Sequence, residues 1–148
     1  MANVQTQSAS WIAHDADTQT LLAALEVDAK TFLAGPITEG KYRSSSVTKR
    51  TGWRADIDNA ETYVRKFVML RRNGVRPSKE DIQYTFDDDA SAECYSVWDR
   101  LNKETNTLVY ENWPAIERVA AALLKSRVLN SSEIDELIAG VYLPRTMS

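Results

Sequence analysis

Histidine and cysteine each occur once in the 148 residues, glycine five times and proline four times. A single cysteine, Cys94, excludes an internal disulfide and fits a reducing compartment. So little glycine and proline leaves too few turns for a fold built from short strands. Long apolar runs are also missing. The most apolar early stretch, LLAALEVDAKTFLAG, is interrupted by Glu26, Asp28 and Lys30 and is too short to span a bilayer. The opening MANVQTQSAS has neither a positive n-region nor an apolar segment, so no signal peptide is read there. These absences point to a cytoplasmic protein with no membrane association.

Hydrophobic residues make up 43% of the chain and charged residues 26%, a composition that supports one modest globular core. The net charge of −3 is unevenly spread. Residues 41 to 79 carry eleven basic side chains against three acidic ones, while the rest of the chain carries seven against eighteen. A basic middle thus lies between two acidic arms, either paired internally or marking a binding face.

The apolar pattern is helical. Leu21, Leu22, Leu25, Ala29, Phe32 and Leu33 recur at three- and four-residue steps, and Pro36 is expected to kink or restart that helix. KYRSSSVTKRTG, 41 to 52, reads as a loop. Helix resumes near Trp53, with Ile57, Ala60, Val64, Phe67 and Val68 on one face, and stops at Asn73-Gly74. Ser78-x-x-Asp81 resembles a capping box that opens a short helix through Phe86. Asp87, Asp88 and Asp89 form an N-cap cluster for a long helix. Its stripe is Cys94, Val97, Trp98, Leu101, Leu108, Ile116, Val119, Ala120 and Leu123, and Pro114 bends or splits it. Ser132-x-x-Asp135 caps a last short helix ending near Gly140. The fold expected is all-α: a disordered tail over 1–10, then a single helical domain over 11–148 with five or six helices and one long helix after Asp89.

Gly35-x-x-x-x-Gly40-Lys41 matches the start of a phosphate-binding loop. That loop needs a Ser or Thr after the lysine and a preceding strand, whereas Tyr42 follows here and the residues before Gly35 have helical spacing. The match is a decoy. Read with its neighbours, the same stretch points elsewhere. Leu33-Ala34-Gly35-Pro36-Ile37-Thr38-Glu39, then Thr51-Gly52-Trp53-Arg54-Ala55-Asp56-Ile57-Asp58-Asn59-Ala60-Glu61, then Asn112 to Ile138 resemble, in that order, the later part of the FtsH-type zinc metallopeptidase domain. The likeness is to its compact stand-alone bacterial and phage relatives and covers roughly residues 30 to 140. The first stretch resembles the family's L-x-G-x-x-A-E pattern, with Thr38 in place of Ala. The second resembles T-G-A-x-N-D-[LI]-x-x-A-T, whose Asp is the family's third zinc ligand and falls on Asp56. The third looks like the family's closing long helix, leucine-rich turn and short capped helix.

The family's hydrolytic chemistry lies in H-E-x-x-H, two histidines and a general-base Glu on one helix, and this chain has no such motif. His14-Asp15-Ala16-Asp17-Thr18 echoes it only by chance. His14 and Asp56 would supply two of the three ligands that a catalytic zinc needs. No catalytic residue, metal ligand set or cofactor is therefore assigned. Asp56 reads as an acid at a helix N-terminus, His14 as an exposed residue near a frayed end, and Cys94 as a small core hydrophobe. Trp98, Trp113 and Tyr110 read as core, and Glu39 and Lys41 as solvated or paired. The run Asp87 to Asp89 lacks the alternation and central Gly of a calcium loop.

The expected function is that of a non-catalytic helical relative of these peptidases, an interaction or dimerisation module with a protein partner or a second copy. One alternative is a zinc peptidase whose missing ligands come from another chain. The other is a nucleic-acid binder using the basic segment 41–79, whose two helices and Asn-Gly turn suggest helix-turn-helix geometry; an acidic pI near 5.2 weighs against it.

Overall fold

The computed structural model describes residues 16–43, 51–77 and 85–139. Among them are five helices and no strand: α1 (Thr18–Arg43), α2 (Thr51–Asn73), α3 (Asp88–Glu111), α4 (Trp113–Ser126) and α5 (Ser131–Ile138). The fold is all-α, as the periodicity indicates. The expected N-terminal tail, His14, most of the expected 41–52 loop, the Ser78–Asp81 cap and Gly140 lie outside the described residues.

Each helix begins or ends where a side chain or a flexible backbone satisfies its orphan groups. Asp17 accepts the Thr20 amide at 2.7 Å and so starts α1, an N-cap that the periodicity alone does not reveal. Asp87 does the same for α3, accepting the Ala90 amide at 2.7 Å, with Asp88 and Asp89 in the first turn. At the end of α2, Gly74 takes the left-handed conformation (φ 66°) and donates its amide to the Leu70 carbonyl at 3.0 Å.

Three expectations about boundaries are corrected. Pro36 does not restart a helix: α1 runs through it to Arg43, and Pro36 is buried. Proline removes one amide donor, a local loss that the packing of a 26-residue helix overrides. Lys41 to Arg43 consequently belong to α1 rather than to a loop, and α2 begins at Thr51. The last helix is capped by Asn130, not Ser132. The Asn130 side chain accepts the Glu133 amide and the Glu133 carboxylate accepts the Asn130 amide, both at 2.8 Å, a complete capping box two residues earlier.

The backbone forms two compact units, Met1–Thr105 and Asn106–Ser148. In the first, α1 and α2 run antiparallel, with Gly35 near Asp56 and Phe32 stacked on Tyr63 at 5.7 Å between ring centroids. Leu25, Ala29 and Leu33 of α1 share one buried cluster with Ala60, Val64 and Val68 of α2, and Val97 and Leu101 of α3 complete it. Burying each such aliphatic side chain stabilises by roughly 1.5–3 kcal/mol. The expected stripes of α1 and α2 are therefore the core. On α3 the stripe drifts by one position at its end: Val109 is buried while Leu108 is half-buried. Thr105 fills the intervening turn, its hydroxyl donating to the Leu101 carbonyl at 2.7 Å.

Ion pairs bind the three helices at their edges. Glu93 of α3 receives both Arg71 and Arg72 of α2. Glu104 receives Lys30 of α1 at 2.6 Å and also Arg100, which reaches Glu26 as well. Burial would raise the Glu93 carboxyl, but hydrogen bonds from Arg71 and Arg72 more than offset this and hold it below its ordinary range. The Lys30 hydrogen bond does the same for Glu104.

In the second unit, Asn112 separates α3 from α4, its amide nitrogen donating to the Leu108 carbonyl at 2.9 Å, and Pro114 sits in the first turn of α4. The long helix is thus split in two at Asn112, just before Pro114. Of the stripe carried into α4, Ile116 and Val119 are half-buried, and Ala120 and Leu123 are exposed. Tyr110 is also exposed, at 59%, rather than core. Trp113 is half-buried and donates its indole N–H to Glu117 at 2.6 Å.

Two carboxyls with folded pKa values below the ordinary Glu value contribute stability that is present above about pH 4.3 and lost as pH falls through their folded values. Acid titration of thermal stability is expected to show a loss below that point. The double variant Glu93→Gln/Glu104→Gln should flatten it, by up to about 1 kcal/mol for each partly exposed cluster. An unchanged acid limb in the variant would remove these clusters from the account.

Candidate functional site

Two places in the first unit bring together residues singled out by the sequence. The first lies between α1 and α2. Gly35 lies within α1 and Asp56 within α2, and a β-carbon built on Gly35 would lie 3.4 Å from the Asp56 carboxylate. Asp56 is half-buried. It occupies the second turn of α2, whose first turn holds no acidic residue. The macrodipole falls off within the first turn, and the Asp56 carboxylate also lies close to α1 at Gly35.

Among the described residues, no group of three or more His, Cys, Asp or Glu side chains is placed to hold a metal ion. Cys94 lies on α3 beside the second place and shares no such group with Asp56. The phosphate-loop match fails on geometry: Gly35 to Lys41 are all helical, and neither glycine has the positive φ that such a cradle uses. Backbone amides inside a helix are committed to its own carbonyls and point away from any ligand.

The second place is a cleft of about 330 Å³ between α2 and α3. Glu61, Val64 and Arg65 line it from α2, and Ser91, Cys94, Tyr95 and Trp98 from α3, with Phe86 just before α3. The α2 wall follows helical steps of three and four residues, and the α3 wall steps of three, four and seven. Val64 and Trp98 belong to or pack on the core, so the floor is apolar, while Glu61 and Arg65 stand at the rim. The Arg65 guanidinium lies over the Phe86 ring, 5.9 Å from its centroid. Tyr95 is 73% exposed. Burial pushes the Cys94 thiol above its ordinary value, with Arg65 opposing and Glu93 adding to the shift, which makes it a poor nucleophile at neutral pH. The cleft can receive an apolar side-chain row and orient it by charge. Its thiol is not an activated nucleophile.

Sequence reasoning places Cys94 and Trp98 in the core and overlooks Tyr95, Ser91, Glu61 and Phe86 as a surface. The signal is present in hindsight of geometry alone: Ser91, Cys94, Tyr95 and Trp98 form a second row beside the core stripe of Val97 and Leu101. Nothing in a single helix says which row meets a neighbour.

Among the described residues, five side chains of the basic middle are engaged within the fold. Arg71 and Arg72 pair with Glu93, Arg76 donates to the Ala16 carbonyl, Arg65 covers Phe86, and Lys66 lies over the Tyr63 ring at 5.3 Å. No described helix is long and apolar enough to cross a membrane. No protein-family model matches this chain, and comparison with curated proteins and with solved structures gives no match.

Glycine inside a helix costs roughly 0.5–1 kcal/mol relative to alanine. A β-carbon at Gly35 would meet only the end of the Asp56 side chain, and one at Gly40 would meet nothing within 4 Å. Gly40→Ala is therefore expected to raise stability by about that amount and Gly35→Ala by no more, read by denaturant unfolding. Destabilisation by Gly35→Ala alone would mean that the Asp56 carboxylate must stay where it is.

Proposed function

We propose that this chain is a non-catalytic helical protein of the FtsH-type peptidase line that works in the cytoplasm by binding another protein. The single observation that carries this reading is the α2–α3 cleft, an apolar trough between two helices with charges of both signs at its rim. A trough walled by helical ridges fits a third helix, whose apolar row enters while its polar flank meets Glu61 and Arg65. Burial raises the Cys94 thiol above its ordinary value, which suits a binding surface. Internal engagement of Arg65, Lys66, Arg71, Arg72 and Arg76 favours this over nucleic-acid binding, which needs such side chains free to meet phosphates.

The test uses a photoreactive benzoylphenylalanine in place of Tyr95 in the full chain, irradiated in cells that express it. One discrete cross-linked protein is expected. It should vanish when Ser91→Arg fills the cleft from α3, with helicity unchanged by circular dichroism. Cross-links that survive Ser91→Arg, or none at all, would count against the cleft as the binding surface.

A second reading, a zinc peptidase completed by ligands from another chain, is favoured by the proximity of Gly35 and Asp56, which lie in two of the three stretches that carry the resemblance. Elemental analysis after purification without chelators separates the two. No stoichiometric zinc is expected in the wild type or in Asp56→Ala. About one zinc per chain, lost in Asp56→Ala, would shift the conclusion to hydrolysis.

A further inference from the structure

The α4–α5 hairpin of the second unit buries little of its own apolar surface. Leu124 is 86% and Val128 78% exposed, Leu123 is exposed beside them, and no residue of α5 is buried. The end of α4 and the α5 arm carry opposite charge, while Glu117 and Arg118 lie nearer the start of α4. Lys125 in the last turn of α4 and Arg127 just beyond it are exposed and basic, whereas Glu133, Asp135 and Glu136 of α5 are exposed and acidic. Among the described residues, neither Lys125 nor Arg127 forms an ion pair. Arg127 also adopts the left-handed conformation (φ 59°) at the C-cap of α4, a position where glycine would be relaxed. A side chain kept at a strained position invites a functional reason.

We infer that this hairpin is a homodimer contact, occupied by the same hairpin of a second copy. A two-fold axis makes every contact reciprocal. The basic end of each α4 then faces the acidic α5 of the other chain, twice over, while Leu123, Leu124 and Val128 of the two copies cover one another between the charged pairs. Other occupants fit less well. An anionic membrane or a nucleic acid would be repelled by α5, and an acidic or basic partner would match only one arm. The contact uses none of the residues that line the α2–α3 cleft, so either surface can fail without the other.

Sedimentation equilibrium of the full chain is expected to give twice the 16.7 kDa chain mass at high concentration, and Leu124→Asp to return it to the single-chain mass with helicity retained. Lys125→Glu/Arg127→Glu and Asp135→Lys/Glu136→Lys should each be monomeric alone, through repulsion of like charges. Mixed together they should form a heterodimer, a rescue that a merely misfolded variant would not show. Ser91→Arg should leave the dimer intact. A wild type that stays monomeric, a dimer indifferent to Leu124→Asp, charge variants that do not pair on mixing, or a dimer dissolved by Ser91→Arg would each overturn the inference.

Discussion

The packing of α1 on α2 is the constraint from which the first unit follows. Ala29 and Ala60 are both completely buried in the cluster that also holds Leu25, Leu33, Val64 and Val68. Small side chains at such positions let two helices approach closely, and the larger ones then interdigitate on either side. Once that pair is formed, Val97 and Leu101 of α3 have one apolar surface to meet. The ion pairs then settle direction and register rather than supply the bulk of stability, since partly exposed pairs are individually worth little. Arg71 and Arg72 converge on Glu93, while Lys30 and Arg100 converge on Glu104. The cleft is a by-product of the same arrangement. Where α3 presents Ser91 and Cys94 to α2, the side chains are too small to close the gap, and the larger Phe86 and Trp98 lie within its lining rather than filling it.

Much of this was legible in the chain. Three- and four-residue spacing of Leu21, Leu25, Ala29 and Leu33, and of Ala60, Val64, Phe67 and Val68, identifies the buried faces because burial in a helix selects that period. The aspartate cluster before α3 and the glycine after α2 mark helix ends for reasons that are local and chemical. Errors arose where tertiary packing overrode a local rule, as at Pro36, or where two capping patterns overlapped. Asn130-x-x-Glu133 and Ser132-x-x-Asp135 both read as caps, and the better N3 partner is the glutamate, which is long enough to reach back to the cap amide. The stripe on α4 was misread for a different reason. Ile116, Val119, Ala120 and Leu123 have core periodicity, but periodicity states only that a face is apolar, not that the same chain covers it.

The candidate sites were less legible, and the reason is geometric. Asp56 stands out by resemblance alone, and its carboxylate lies close to α1 at Gly35. A lone carboxylate beside a helix is nonetheless a contact, not a reaction centre. Hydrolysis needs a polarising metal or an activated nucleophile, each made from several groups that converge. The cleft is the converse case, since its residues converge but none is reactive: the thiol there is driven toward its neutral form by burial.

Charge shows the same distinction between possession and availability. The middle of the chain has a strong basic excess, and on composition alone it would attract phosphates. Five of its guanidinium and ammonium groups instead cap aromatic rings, a backbone carbonyl or the carboxylate of Glu93. Groups so engaged must be released before they can bind anything else, which subtracts their present contacts from any affinity gained. At the α4–α5 hairpin the balance is reversed. The charges there are few, but they are exposed, segregated by arm and set beside uncovered leucine and valine. Apolar area supplies the drive to associate, and opposed charges decide which surface is accepted. A left-handed arginine at the turn between them is the costlier choice over glycine, and it places a positive charge at the junction of the two arms.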